Sequence, residues 1–215
     1  MIVNERITAY LQSLEPDSPY EEMERRARER YIPVIRRETA ALLRTLIAIK
    51  RPRRILEVGT AIGYSALLMC QAMPKDCQIV TIENDPERAA QARQNFAEAG
   101  ETRIRLLEGD ANEILLELKG PFDFVFMDAA KGQYPHWLPL ILGMMPEGGV
   151  LFSDNVLQDG EVAESRFAVE RRNRTIHGRM REYLYLLKHT EGVETAVVPI
   201  GDGAAVSTIV RKEML

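Results

Sequence analysis

The sequence predicts an α/β fold built on a mostly parallel, doubly wound sheet. Five short β-rich segments in the middle of the chain alternate with helical segments, and the spacing allows one crossover helix between successive strands. Strands and helices alternating in this way are typical of right-handed βαβ units. Two final β-rich segments are separated only by a tight glycine turn, which leaves no room for a crossover. We therefore expect an antiparallel hairpin added to one edge of a parallel sheet.

The predicted elements follow from these periodicities. Helices are expected first, at about 2–14, 19–30 and 36–49. Strands are expected at 54–58, 78–83, 103–108, 122–127 and 149–153, with helices near 63–73, 86–99, 110–118 and 134–144. A long polar helix is expected at about 160–189, and the hairpin strands at 194–200 and 204–210. The N-terminal helices (1–50) thus form an attachment to an αβ core (53–215), and we expect both to belong to one domain over 1–215.

Length and composition favour an intracellular globular protein. The chain has 215 residues, of which 46% are apolar, enough to bury a core without disulfides. Cys70 and Cys77 have neither C-x-x-C spacing nor a nearby histidine, so we expect free thiols in a reducing compartment. The first residues carry Glu5 and Arg6 and no long apolar run. We therefore expect a cytoplasmic protein with neither a signal peptide nor a membrane span.

The formal net charge of −4 is unevenly distributed. Residues 1–54 carry 12 Lys and Arg against eight Asp and Glu, and residues 161–190 carry seven against four. The rest of the chain carries nine against 20. The basic surplus either contacts phosphates or belongs to solvated helix faces in which Arg and Glu pair. The arginines concerned are Arg25, Arg26, Arg28, Arg30, Arg36 and Arg37, then Arg166, Arg171, Arg172, Arg174, Arg179 and Arg181.

The segment after the first strand predicts a turn that brings backbone into contact with a cofactor. It reads Arg54-Ile55-Leu56-Glu57-Val58-Gly59-Thr60-Ala61-Ile62-Gly63-Tyr64-Ser65. Its glycines have G-x-x-x-G spacing, which differs from the G-x-G-x-x-G of dinucleotide-binding folds, so a dehydrogenase is disfavoured. The spacing alone is a weak signal, because a strand-to-helix turn often needs glycine for steric reasons.

Acidic residues at the ends of the second and third strands fit a nucleoside. Glu83 follows Gly59 by 24 residues, roughly the offset of the acid that holds a ribose diol in nucleotide-binding sheets. A carboxylate offers two acceptor oxygens to the two hydroxyl donors of the diol. Asp110 either caps the next helix or accepts a hydrogen bond from an adenine amino group.

The fourth and fifth strands also end in polar residues, namely Asp128 and the pair Asp154-Asn155. The carboxyl ends of neighbouring parallel strands meet at one edge of the sheet, where ligands bind. Two carboxylates and one amide oxygen are hard ligands that suit Mg²⁺ and leave positions for water or substrate. The alternative is that Asp154 and Asn155 only cap the following segment. The histidines and cysteines share no metal-ligating spacing, so a soft-metal site is not predicted.

Three ordered motifs, at the ends of strands one, four and five, resemble those of the metal-dependent class I S-adenosylmethionine (SAM) O-methyltransferases of the catechol and caffeoyl-CoA type. They are Glu57-Val58-Gly59-Thr60-Ala61-Ile62-Gly63-Tyr64-Ser65, Asp128-Ala129-Ala130-Lys131-Gly132-Gln133-Tyr134 and Asp154-Asn155-Val156-Leu157. Ala61 stands where the wider methyltransferase pattern has its middle glycine, a position that varies in the metal-dependent branch.

The resemblance is closer to the bacterial tRNA 5-hydroxyuridine methyltransferases, which make 5-methoxyuridine at the wobble position of the anticodon. The segments that carry it are Gly59-Thr60-Ala61-Ile62-Gly63-Tyr64-Ser65, Ala130-Lys131-Gly132-Gln133-Tyr134 and Pro199-Ile200-Gly201-Asp202-Gly203.

The resemblance implies a Rossmann-like class I methyltransferase fold with seven strands and SAM as methyl donor. It implies that Gly59 lets backbone approach the methionine moiety, that Ser65 binds the methionine carboxylate, and that Val34 closes over the cofactor. The full set of implied cofactor-binding residues is Val34, Glu57, Gly59, Ser65, Glu83, Asp110, Ala111 and Asp128.

The resemblance also implies a catalytic set. Mg²⁺ held by Asp128, Asp154 and Asn155 would bind the acceptor oxygen and lower its pKa. Lys131 matches the general base of the family, since a neighbouring dication favours the neutral amine. Acceptors in the family offer two adjacent oxygens, which a catechol and 5-hydroxyuridine both provide. Asp128 and Lys131 are therefore the implied catalytic residues.

The sequence leaves two alternatives for the methyl acceptor. The basic segments 25–37 and 166–181 favour the anticodon region of tRNA, and a small catechol or hydroxycinnamoyl thioester is the alternative. A non-catalytic binding module is disfavoured, because it would need neither the metal ligands nor Lys131. The N-terminal helices favour a homodimer. Tyr134 and Trp137 either line the acceptor pocket or belong to the core.

Overall fold

In the computed structural model, which describes residues 4–14 and 16–212, seven strands form one sheet flanked by eight α-helices. The helices are α1 Glu5–Leu14, α2 Glu21–Glu29, α3 Arg37–Lys50, α4 Tyr64–Ala72, α5 Pro86–Glu98, α6 Ala111–Glu117, α7 Tyr134–Met144 and α8 Arg174–His189. The strands are β1 Arg54–Val58, β2 Gln78–Glu83, β3 Ile104–Glu108, β4 Phe124–Met127, β5 Val150–Ser153, β6 Val193–Val198 and β7 Ala204–Ile209. The predicted first helix extended to residues 2 and 3, which lie outside the described residues.

The strand order is β3-β2-β1-β4-β5-β7-β6. Strands β1 to β5 are parallel, β7 runs antiparallel to β5, and β6 pairs antiparallel with β7. The predicted mostly parallel sheet with an antiparallel hairpin is confirmed. The order reverses between β1 and β4, which is the topological switch point where open α/β sheets bind ligands.

The apolar strands at the centre of the sheet are buried on both faces. Phe124 and Phe126 of β4 point into the layer of α2 to α5, while Val125 and Met127 point into the layer of α6 to α8. All four side chains are inaccessible to solvent. Burial of each side chain of this size stabilises the fold by about 1.5–3 kcal/mol. The alternation fixes which residues of β4 face each layer, and it brings Asp128 to the end of the strand.

The N-terminal helices are attached to the core through a buried carboxylate, Glu24 on α2. It accepts a hydrogen bond from the hydroxyl of Tyr64, the first residue of α4, and one from Arg37 Nη2 at 2.8 Å. Burial acts to raise the pKa of Glu24, but the hydrogen bonds from Tyr64 and Arg37 outweigh it and hold the pKa below its usual value. The attachment therefore depends on an ionised carboxylate.

The predicted long helix over 160–189 is wrong in its first half. The segment begins with two 3₁₀ turns, Gln158–Ala163 and Arg171–Asn173, and α8 starts only at Arg174. Asp159 and Gly160 have φ of +53° and +96°, which interrupts helical geometry. This part of the chain is also tied to the β6–β7 turn, where the N–H groups of residues 156 and 157 bond the carbonyls of residues 203 and 202.

The thiols of Cys70 and Cys77 are free and buried. Burial raises the pKa of both, so both stay protonated and unreactive near neutral pH. Across residues 4–14 and 16–212, no helix is long and apolar enough to cross a membrane.

Replacing Glu24 by Gln is expected to lower the free energy of unfolding by about 3 kcal/mol at pH 7, because Arg37 loses its buried partner. The pKa of Glu24 is lowered in the folded state, so its contribution is present above the unfolded pKa and is lost as pH falls through the folded value. The difference between the variant and the wild type should therefore shrink in acid. Urea unfolding at several pH values measures it, and Glu22→Gln, at an exposed ion pair with Arg25, is the matched control. An equal effect of the two substitutions would contradict this account.

Candidate active site

A cavity of about 730 Å³ opens at the carboxyl ends of the central strands. Its volume lies within the range of small-molecule sites in proteins. The parallel register explains why the predicted residues meet there, since Ile82, Val58, Met127 and Ser153 are aligned across four strands. The next residue on each strand lines the cavity, as do most other predicted site residues. The predicted residues in its wall are Val34, Gly59, Ser65, Glu83, Asp110, Ala111, Asp128, Lys131, Asp154 and Asn155.

The glycine turn after β1 brings its backbone against the end of β4. Gly59 has φ of +103°, and a Cβ atom there would overlap the backbone oxygen of Asp128. Gly63 has φ of +83°, and a Cβ atom there would overlap the ring of Phe96 on α5. Both positions therefore require glycine for close approach as well as for backbone conformation. The turn predicted from the spacing of these two glycines is present.

Glu83 connects this turn to the next one. Its carboxylate accepts backbone N–H groups from Ala61 at 2.7 Å, Asn84 at 3.0 Å and Asp85 at 2.9 Å. Ala61 has φ of +46°, so the hydrogen bond holds a conformation that alanine rarely adopts. Three donors leave the carboxylate with acceptor capacity for about one more hydroxyl. The predicted ribose contact stays a prediction, and the role of Glu83 in holding both turns was not predicted.

Glu57 lies beneath the cavity rather than in its wall. It is fully buried and accepts hydrogen bonds from the hydroxyls of Ser65 and Thr81. Burial raises the pKa of Glu57 to about 8, and the nearby charges of Asp128 and Glu83 raise it further against those hydrogen bonds. Burial therefore favours the protonated carboxyl near pH 7. The hydrogen bond with Ser65, which lines the cavity, connects Glu57 to the pocket.

Of the two readings of Asp110, the structure shows helix capping. Asp110 Oδ1 accepts from the backbone N–H of Asn112 at 2.8 Å and from its side chain at 2.9 Å. Asn112 in turn accepts from the indole N–H of Trp137 at 2.9 Å. Trp137 and Tyr134 are both buried, and the Tyr134 hydroxyl donates to the carbonyl of Met127 at 2.9 Å. Tyr134 therefore belongs to the core, whereas Trp137 is buried and also lines the cavity. The adenine contact of Asp110 remains a prediction.

Each of the three predicted metal ligands has one side-chain oxygen free of protein hydrogen bonds among the described residues. Asp128 Oδ1 accepts from Lys131 Nζ at 2.6 Å, and Asp154 Oδ1 accepts from the N–H of Asn155 at 2.7 Å. The side-chain N–H of Asn155 donates a hydrogen bond to Asp202 Oδ2 at 3.2 Å. The side-chain carbonyl oxygen of Asn155 is therefore available as a metal ligand. Oxygen donors of this kind fit Mg²⁺.

The electrostatics of the two carboxylates also fit a cation. Burial raises the pKa of Asp154, and the negative charge of Asp128 raises it further, while the N–H of Asn155 and the charge of Lys131 act against this. A dication would remove this repulsion. Across residues 4–14 and 16–212, no group of three or more His, Cys, Asp and Glu side chains could hold a metal. The predicted site therefore needs the amide of Asn155 as its third ligand.

A wall of the cavity is tied to the same ligands through Arg36. Arg36 forms an ion pair with Asp202 and a second one with Asp159 at 3.5 Å. Asp202 bonds Asn155 with its other oxygen, so one carboxylate connects the wall segment 33–36 with a predicted metal ligand. Sequence reasoning placed Asp202 only in a terminal motif and missed its contact with Asn155. Its position in a glycine turn after a strand was the signal for a functional role.

Glu57→Gln is expected to become more stable relative to the wild type as pH rises from about 5 to about 8. The folded pKa of about 8 exceeds the ordinary value of 4.5, so the folded wild type retains a proton that the unfolded chain releases in this window. The free energy of unfolding of the wild type therefore falls with pH by a contribution that the variant lacks. Thermal denaturation of both proteins across the window tests this, and a constant difference in Tm would contradict it.

Comparison with known proteins agrees with this geometry. A family model described as O-methyltransferase matches residues 13–212. A catechol O-methyltransferase from Niastella koreensis is 37% identical over 127 residues, which cover 57% of this chain and 58% of that protein. A caffeoyl-CoA O-methyltransferase from Populus kitakamiensis is 34% identical over 168 residues, covering 75% and 72%.

Solved structures share the whole architecture. The O-methyltransferase TomG from Streptomyces achromogenes, determined in complex with SAM, superposes with a TM-score of 0.84 at 28% identity. The superposition covers 98% of this chain and 100% of TomG. Because the family model covers nearly the full length, this chain belongs to the O-methyltransferase family, within the SAM-dependent class that includes the catechol and caffeoyl-CoA enzymes.

Proposed function

We propose that this chain is a SAM- and Mg²⁺-dependent O-methyltransferase that converts 5-hydroxyuridine to 5-methoxyuridine at the wobble position of tRNA. The main support for this reaction is that Asp128, Asp154 and Asn155 lie together in the cavity wall, beside the glycine turn. Oxygen ligands next to a turn that admits a close backbone approach support a metal beside a methyl donor.

When bound, SAM supplies an electrophilic methyl group and Mg²⁺ lowers the pKa of the acceptor hydroxyl. The residues of this chain supply the rest. Lys131 is held at Asp128 by its ion pair and lies 5.4 Å from the ring centroid of Tyr134, so its amine is fixed at the site. Lys131 Nζ is the proposed acceptor of the proton that the acceptor hydroxyl loses. Gly59 lets the turn approach the end of β4, and the segment 33–36 forms part of the cavity wall.

Basic residues that lack an ion pair support an RNA acceptor. Within the described residues, Arg30, Arg166 and Arg171 are exposed and form no ion pair. Most other arginines of the two basic segments are compensated, so the solvated-face interpretation holds for them. The compensated pairs are Arg25 with Glu22 and Glu29, Arg28 and Arg37 with Glu24, Arg36 with Asp202, Arg172 with Glu170, and Arg179 with Glu182. Uncompensated charge is what contacts with phosphate require.

The second candidate is methylation of a small catechol or hydroxycinnamoyl thioester. It is favoured by the names of the Niastella and Populus relatives. Both acceptor classes offer two adjacent oxygens, so one set of ligands serves either. The two candidate functions therefore use the same residues within the cavity. They differ in the contacts that the methyl acceptor makes outside it.

We also propose a homodimer formed through the N-terminal helices, in the cytoplasm. Helix α1 exposes an apolar row with helical spacing, formed by Ile7, Tyr10, Leu11 and Leu14, whose exposed fractions are 52%, 63%, 41% and 60%. An apolar stripe of this kind on a surface helix is typical of an interface. Light scattering of the purified protein measures its mass, and a monomer at micromolar concentration would contradict the proposal.

Asp154→Ala is expected to lower kcat by about 10³-fold or more, because the acceptor loses its activating cation. The affinity for SAM should change little, since Asp154 is not among the predicted cofactor ligands. Isothermal titration with SAM and a methyl-transfer assay measure the two quantities, with Asp76→Ala at an exposed turn as control. Undiminished turnover in excess EDTA would contradict the metal-dependent mechanism.

The acceptor is tested by comparing kcat/KM for two substrates. An anticodon stem-loop carrying 5-hydroxyuridine should be methylated far more efficiently than 3,4-dihydroxybenzoate, because only the RNA can contact the uncompensated arginines. Nucleoside mass spectrometry of tRNA from a strain lacking the protein should then show loss of 5-methoxyuridine. Efficient methylation of the catechol together with an unmodified stem-loop would establish the second candidate.

A further inference from the structure

Two exposed aromatic side chains each directly follow an exposed arginine. Tyr31 follows Arg30, and Phe167 follows Arg166. Tyr31 is 95% exposed and Phe167 is 86% exposed, which are the highest values among the large hydrophobic side chains that the structure describes. Rings so exposed contribute almost nothing to the core, because they remain in water. Their presence therefore needs an explanation other than packing.

The backbone conformation of Tyr31 also indicates a role other than packing. Tyr31 has φ of +54° and ends α2, with its N–H bonded to the carbonyl of Arg28 at 3.1 Å and the N–H of Ile32 bonded to that of Ala27 at 2.9 Å. These two hydrogen bonds form the Schellman motif, in which the left-handed position is normally glycine. A tyrosine there is strained, and its exposed ring receives no stabilising contact in return. A strained residue of this kind indicates a functional role.

Phe167 points into solvent from an anchored piece of chain. Arg174, the first residue of α8, donates from Nε to the carbonyl of Val169 at 3.1 Å and from Nη2 to the carbonyl of Phe167 at 3.4 Å. Val169 itself is buried. The backbone on the C-terminal side of Phe167 is therefore held in place while its ring stays outside. The held backbone determines where the ring leaves the surface.

Both aromatic residues belong to segments that border the cavity. Tyr31 lies two residues before Pro33, the first residue of the cavity wall, so its Cα is within about 7.6 Å of the wall. Phe167 belongs to the segment between β5 and α8, which begins at the wall residue Asn155. The ion pair of Arg36 with Asp159 joins the two segments.

We propose that Arg30-Tyr31, next to the cavity wall, and Arg166-Phe167, on the segment that begins at that wall, are stacking platforms for unpaired bases of an RNA acceptor. This inference rests on the proposed function. An aromatic ring stacks on the face of any nucleobase, and an adjacent arginine contacts the phosphate or adds a cation–π contact. Proteins recognise single-stranded loops through such unstacked bases. A free catechol has neither a second base nor a phosphate, so the platforms would act only on RNA.

The test compares Tyr31→Gly and Phe167→Ala with the wild type. Binding of a 5-hydroxyuridine anticodon stem-loop is measured by fluorescence anisotropy at fixed salt, and kcat/KM is measured for the stem-loop and for free 5-hydroxyuridine. Each variant is expected to raise the Kd for the stem-loop about 5- to 100-fold. The ratio of kcat/KM for RNA to that for the nucleoside should fall by a similar factor. Tyr31→Phe, which keeps a ring, should bind as the wild type does.

The controls separate stacking from folding. Glycine suits the left-handed position, so the Tm of Tyr31→Gly should equal or exceed that of the wild type even though RNA binding weakens. Leu116→Ala removes an apolar side chain that is 68% exposed on α6, and Arg105→Ala removes an exposed arginine on β3. Both lie outside the cavity wall and should leave RNA binding unchanged.

The possible failures are distinguishable. If the wild type methylates the stem-loop and both variants bind it equally well, the platforms are refuted while the proposed function stands. If Tyr31→Gly loses activity on the free nucleoside and on RNA alike, Tyr31 supports the cavity wall, and the stacking role is refuted. If the wild type methylates a catechol and neither binds nor methylates RNA, the proposed acceptor is refuted together with the platforms.

Discussion

The site depends on one close approach, that of the backbone at Gly59 to the backbone of Asp128. It joins the turn after β1 to the end of β4, at the point where the strand order reverses. Any side chain at Gly59 would push the two apart, because the overlapping atom belongs to backbone that is itself hydrogen-bonded in the sheet. The predicted donor site and the predicted metal site therefore share one boundary, and neither can shift without the other.

Around this boundary, similar carboxyl groups have different environments and hence different tasks. Burial favours the protonated form of Glu57, against the hydrogen bonds from Ser65 and Thr81. Glu83 accepts three backbone N–H groups and so holds two turns together. Asp154 is buried near a second negative charge. The surroundings of each carboxyl group, more than its residue type, therefore decide whether it keeps a proton, accepts hydrogen bonds or binds a cation.

Much of the fold and of the cavity wall followed from local pattern. The apolar run of β4 ends at Asp128 and the glycine spacing requires a tight turn, so both were predictable from neighbouring residues. Other features depend on contacts between distant parts of the chain. Asp202 meets Arg36 across 166 residues, and no periodicity encodes such a pair. The helix expected from residue 160 is wrong in its first half for a related reason. Its polar composition suits a helix, but the chain just before it, at residues 156 and 157, is hydrogen-bonded to the β6–β7 turn, and Asp159 and Gly160 have positive φ.

The attachment of α2 to the core through Glu24 and Tyr64 has an evolutionary consequence. Besides the core contacts of Met23 and Ala27, the anchor includes one buried cluster of Glu24, Arg37 and Tyr64, and Tyr64 lies in sequence between Gly63 of the turn and Ser65 of the wall. Substitutions on the outward faces of α1 and α2 leave that cluster untouched. Natural selection can therefore redesign the outer surface for a new acceptor while the donor end of the molecule stays the same. A conserved reaction with divergent substrates is the expected history of such an arrangement.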